Sequence, residues 1–179
     1  MKKNLLIASA YIAGLSLGFL VVQDNNPKIV MGHTIQQNYM ELSEIEEESE
    51  LIVSGHVISQ ETLTFLGGRN KDVIRDAITK SQFEISIVCN DPNYDYKKGD
   101  ILTVYEPAGI VEEFGQDTYF TSDGYRLTEE ESEYFLFLAD ANQKDEFTIN
   151  GYQGKFNIDH TDKKEKNLCY LIMKSYLIR

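Results

Sequence analysis

Three histidines, two cysteines and one acidic turn are the residues of this chain whose types could do chemistry. His33, His56 and His160 are scattered. Zinc sites draw ligands at short, set spacings such as HExxH, and none of the three falls in one. Ser54-Gly55-His56 lacks the G-x-S-x-G context that exposes a nucleophilic serine on a strained turn, so Ser54 is expected to be structural. Alternation places His56 on the opposite strand face from Val53 and Val57, where it is expected to be a sheet-surface residue. Cys89 could act with a histidine only in an electropositive setting, and the apolar strand run around it is not one. An enzyme would therefore require His56, His160 or Cys89 to converge with acidic partners in one pocket.

The acidic turn is Asp91, Asn93 and Asp95, whose i, i+2, i+4 oxygens match the start of many calcium loops. An EF-hand would continue with glycine at position 96 and a bidentate glutamate at 102. The chain has Tyr96 and Leu102, so an acidic hairpin turn is the better account. Glu44, Glu46, Glu47, Glu48 and Glu50 likewise fix no coordination geometry and are expected on a solvated helix face. Tyr152, Gln153 and Lys155 place an aromatic, an amide and a cation beside Gly154, a combination able to contact peptides or sugars. They are the candidate ligand contacts. No catalytic, cofactor-binding or metal-binding residue is assigned.

The chain that must position these groups has 179 residues, room for a leader and one domain. With 42% hydrophobic and 11% aromatic residues it can build a core, which excludes wholesale disorder. Its 17 basic and 29 acidic residues give a net charge of −12, with the dense runs acidic, so a nucleic-acid partner is not expected. Lys2 and Lys3 precede an uncharged, mostly apolar run from Leu5 to Val22, the pattern of a signal peptide or signal anchor. The rest is then expected outside the cytoplasm, either tethered to the membrane through residues 5–22 or secreted. In an oxidising compartment Cys89 and Cys169 could pair, a closure worth roughly 4.5 kcal/mol in the chain-entropy picture. Equally, each could remain a separate core thiol in its apolar run.

Residues 23–40 mix Asn, Pro, Gln and Lys without a period and are expected to form a flexible spacer before a domain at 41–179. Ser43 and Glu46 have capping-box spacing and predict a short helix. A long strand is expected from Leu51. Another spans Phe83 to Cys89, with Phe83, Ile85, Ile87 and Cys89 on one face. Turn residues then lead to Ile101–Tyr105 as its antiparallel partner. Glu106 to Leu127, punctuated by glycines, is expected to be a long loop or hairpin. Tyr134–Ala139 is apolar on both faces and reads as a central strand. Phe147–Ile149, Lys155–Ile158 and Leu168–Ile178 supply more, six or seven in all. Val73, Ile74, Ala77 and Ile78 also allow a helix at 72–79.

The blocks Glu48–Val57, Lys97–Val104, Glu133–Leu138 and Tyr152–Phe156 together resemble an uncharacterised family of exported β-barrel domains of Gram-positive bacteria. The first three are distantly similar to netrin-like domains of the OB-fold type. The resemblance implies a mainly β fold with minor α, a small OB-like antiparallel barrel after an N-terminal apolar leader helix. It transfers no catalytic residue: netrin-like inhibitors act through an N-terminal cysteine, and no cysteine precedes Cys89 here. The expected role is a non-catalytic binding or accessory module, with an envelope protein, peptide or glycan as partner. A cell-envelope enzyme and a purely structural envelope protein are the competing readings.

Overall fold

In the computed structural model, residues 27–32, 39, 41–69, 73–113, 115–151 and 153–162 are described. They form nine strands and one short helix: β1 (Lys28–Gly32), α1 (Leu42–Glu47), β2 (Leu51–Gly67), β3 (Val73–Asn90), β4 (Ile101–Glu106), β5 (Ala108–Glu113), β6 (Gln116–Ser122), β7 (Glu133–Gln143), β8 (Glu146–Ile149) and β9 (Lys155–Asn157). The fold is mainly β, as expected, with more strands than the six or seven anticipated. The leader (1–22) and the last expected strand (168–178) lie outside the described residues. Among the described residues no helix is long and apolar enough to cross a membrane.

A six-stranded sheet runs β2-β3-β4-β8-β7-β9, and β2 pairs with β7 as well, so the ladder returns to its first strand. Side-chain alternation then sorts residues into two clusters. Leu51, Val53, Phe83, Ile85, Leu102, Val104, Tyr134, Leu136 and Leu138 belong to the larger one. Phe135 and Phe137, on the other face of β7, pack with Ile45 of α1 and Ile52. This two-sided burial is why β7 is apolar at every position from Tyr134 to Leu138. Within the larger sheet β4 and β8 run parallel, with Val104 opposite Phe147, so it is not the purely antiparallel sheet expected. Parallel neighbours need a long crossover, and the chain between β4 and β8 supplies it with β5, β6 and β7.

Three local readings need correction. The helix allowed at 72–79 is instead the first half of β3, held by register pairs from Leu66–Ile74 to Thr62–Thr79. Cross-strand pairing outweighs a spacing that fits both periods. Second, Ser54 faces Ile87 while Gly55 faces Ile85, so Ser86 is an extra residue in the ladder. A bulge of this kind reverses which side chains face inward. Phe83 and Ile85 are therefore buried, whereas Ile87 is 47% exposed and Val88 takes the inward place. Cys89 falls on the other cluster. Third, residues 28–32 of the expected spacer are strand β1. The short helix begins one residue before Ser43, and its box is Glu41 with Glu44, the Glu41 N–H donating to Glu44 Oε2 at 3.4 Å.

The smaller sheet has the order β1-β6-β5, with β1 parallel to β6 on its edge. It packs on the distal half of the β2–β3 hairpin. Gly109 permits this approach, because a Cβ there would lie 2.8 Å from the Ala77 Cβ and 3.0 Å from the Thr62 Cγ2.

Candidate functional site

The smaller sheet and the chain after it enclose an apolar groove of ≈ 700 Å³. Pro27, Ile29, Met31 and Ile110 form one side, and Arg126 and Leu127 part of the other. Strand register explains the apolar side: Ile29 and Ile110 both lie opposite Tyr119, and Met31 follows Ile29 on the same face.

The other wall is fixed by a buried carboxylate. Glu106, 1% exposed, ends β4. Its Oε1 accepts the Ser81 hydroxyl at 2.5 Å, the Thr128 hydroxyl at 2.6 Å and the Gln60 amide at 3.3 Å. Its Oε2 accepts the Thr128 N–H at 2.8 Å and the Tyr125 hydroxyl at 2.9 Å. Five donors from β2, β3 and the 125–128 segment meet on one side chain. Gln60 and Thr128 also line the groove, so the knot sets the position of its wall. Tyr119 adds a second tie, donating to the Tyr125 carbonyl at 2.9 Å and accepting from the Leu127 N–H at 3.1 Å. Burial pushes its phenol pKa up.

A second, polar cleft of ≈ 450 Å³ lies between the β3–β4 turn and the β7–β8 hairpin. Asp91, Asn93 and Asp95 line it with Asp140 and Asp145. Two of the carboxylates are engaged in their own turns. Asp91 accepts the N–H groups of Asn93 at 3.1 Å and Tyr96 at 2.8 Å, and Asp140 accepts that of Asn142 at 2.7 Å. Asp145 Oδ1 accepts the Tyr96 hydroxyl at 3.1 Å. Burial, that hydrogen bond and the charges of Asp145, Asp95 and Asp91 raise the Tyr96 phenol to about 12. Among the described residues no group of three or more His, Cys, Asp or Glu is placed to hold a metal ion.

Of the expected ligand contacts, Gln153 and Lys155 line neither cleft. Tyr152 lies outside the described residues. The Gln153 amide clasps the Tyr39 backbone, accepting its N–H at 2.8 Å and donating to its carbonyl at 3.0 Å. Lys155 is buried, its Nζ donating to the Arg126 carbonyl at 2.8 Å and lying 5.1 Å from the ring centres of Tyr125 and Tyr134. Gly154 allows a close backbone approach, since a Cβ would come within 2.6 Å of the Asn150 carbonyl oxygen. Both described side chains thus bind the fold together.

The groups weighed for catalysis are distributed over the sheet. His56 on β2 lies 4.0 Å from Glu84 on β3, both partly exposed. Cys89 is five positions along β3 from Glu84, about 16 Å at strand rise, and burial pushes its thiol pKa up. That shift opposes thiolate formation. His160 is exposed in the segment after β9. His33 and Cys169 lie outside the described residues, so the Cys89–Cys169 pairing does too. Sequence reasoning did not find the Glu106 knot or the groove. The one local signal was a lone glutamate closing the alternating strand Ile101–Tyr105.

Compared with known protein families, curated proteins and solved structures, the chain matches none.

Proposed function

We propose that this chain is an extracytoplasmic binding or accessory module, tethered through residues 5–22 or secreted, and that it is not an enzyme. The apolar groove carries the reading. It is concave and mostly apolar, with a few fixed polar groups at its wall, as ligand sites are. At the polar wall Glu106 is committed to holding the fold, since it already accepts five donors. The fold supports the same view: a ring ordered β2-β3-β4-β8-β7 with β4 parallel to β8 has the strand order of a small OB-like barrel. Such barrels recognise ligands with a sheet face and loops while the closed ring stays rigid. The acidic net charge argues against nucleic acid as the ligand. A purely structural envelope protein has no need of the groove.

A photoreactive residue at Arg126 in living cells tests the proposal. A reproducible adduct from position 126, absent when the same residue replaces exposed Lys98, is the expected result. No adduct above the Lys98 background, or turnover of an envelope substrate lost on His56→Ala, would overturn it.

A further inference from the structure

We infer that the groove side built by β1 and β5 seats against the lipid bilayer, so that the groove's occupant is phospholipid at the membrane interface. The inference rests on the proposed tether and names the ligand of the site described above. Ile29 is 63% exposed, Met31 54% and Ile110 48%. Register gathers them into one patch: Ile29 and Ile110 flank Tyr119 on one row, and Met31 stands two residues along from Ile29. Three large apolar side chains held in one exposed patch beside an apolar groove mark a surface that a partner covers.

The covalent arrangement selects the partner. Lys28 opens β1 only six positions after Val22, the end of the apolar run. Six residues reach at most about 21 Å when fully extended. A domain of this size has a radius of gyration of roughly 14 Å, hence a width well beyond that reach. The tether therefore holds the β1 end of the domain next to the bilayer, whose headgroup layer is only about 5–7 Å deep. An apolar face at that depth exchanges water for acyl-chain contacts, as interfacial segments do. Arg126, which shares the groove with Glu129, Glu130 and Asp162, supplies a cation for a lipid phosphate.

The test uses the full chain reconstituted into phosphatidylcholine vesicles containing a doxyl-labelled lipid, in a Cys89→Ser, Cys169→Ser background. An environment-sensitive fluorophore is attached at Ile110→Cys or, separately, at Lys98→Cys. The expected result is roughly threefold stronger quenching at 110 than at 98, as for a side chain seated in the headgroup layer. Ile29→Gln with Met31→Gln should remove that difference while the protein still floats with the vesicles. Equal quenching at both positions in protein that floats would overturn the bilayer contact and leave the tether standing. Failure to float would overturn the tether and the inference together.

Discussion

Thr128 grips Glu106 twice, its N–H donating to Oε2 at 2.8 Å and its hydroxyl to Oε1 at 2.6 Å. The pair ties the end of β4 to the segment that walls the groove. A carboxylate has only acceptors, and every donor around Glu106 needs one. In Glu106→Gln the amide NH₂ would face donors, so the variant should lose about 3 kcal/mol. Urea unfolding measures it, and a loss within error of zero would contradict the knot's structural role.

Lys155→Met keeps the length of the side chain but removes the charge-assisted bond to the Arg126 carbonyl and the contacts with two tyrosine rings. The expected loss is about 2 kcal/mol. Thermal unfolding of the variant beside the parent gives the comparison.

Gly154→Ala should destabilise by about 1–3 kcal/mol, because the new methyl meets backbone that cannot swing away. The nearest atoms would be the Asn150 carbonyl oxygen at 2.6 Å and the Phe137 carbonyl oxygen at 2.9 Å. A chemical denaturation curve unchanged by the substitution would refute this.

Tyr96 should be among the last tyrosines to ionise. Its phenol is raised from the ordinary 10.0 to about 12 by burial and the nearby carboxylates. The stability it contributes is complete below the unfolded value near 10 and is lost as pH rises through about 12. Absorbance titration should show one late tyrosine fewer in Tyr96→Phe.

Asp159 responds at the other end of the scale. Burial pushes its carboxyl up, but donors outweigh it: the Thr161 hydroxyl at 2.6 Å, the Glu133 N–H at 3.0 Å, the Thr161 N–H at 3.2 Å and the Asn157 amide at 2.8 Å. The net shift is downward from 3.8. Its contribution is therefore present above about pH 4 and is lost as pH falls through the lower native value. Asp159→Asn should shrink the difference in urea midpoint between about pH 6 and about pH 3; an unaltered difference would count against it.

Local pattern revealed the elements whose partners impose a simple period. β7 was legible because both its faces are buried, and the β3–β4 pair because turn residues separate two alternating runs. Val73–Thr79 was ambiguous since its apolar spacing suits a helix or a strand, and only pairing with residues 62–67 decides. Ser86 could not be recognised as a bulge from β3 alone, because the extra residue exists only relative to β2. β1 was hidden for a similar reason: a five-residue edge strand acquires its structure from β6, some ninety residues later. The candidate site suffered most. Gln60, Ser81, Tyr125 and Thr128 reach Glu106 from three separate stretches, while the Gln153 and Lys155 side chains, conspicuous in the sequence, turn to Tyr39 and Arg126.

The parallel seam between β1 and β6 has a mechanical side. Any pull arriving from residues before Lys28 enters the folded domain at the first of five paired positions, Lys28 opposite Thr118. Tension would reach that short seam before Tyr39 or α1, so β1 can act as a fuse, tearing away while the main ring keeps its shape.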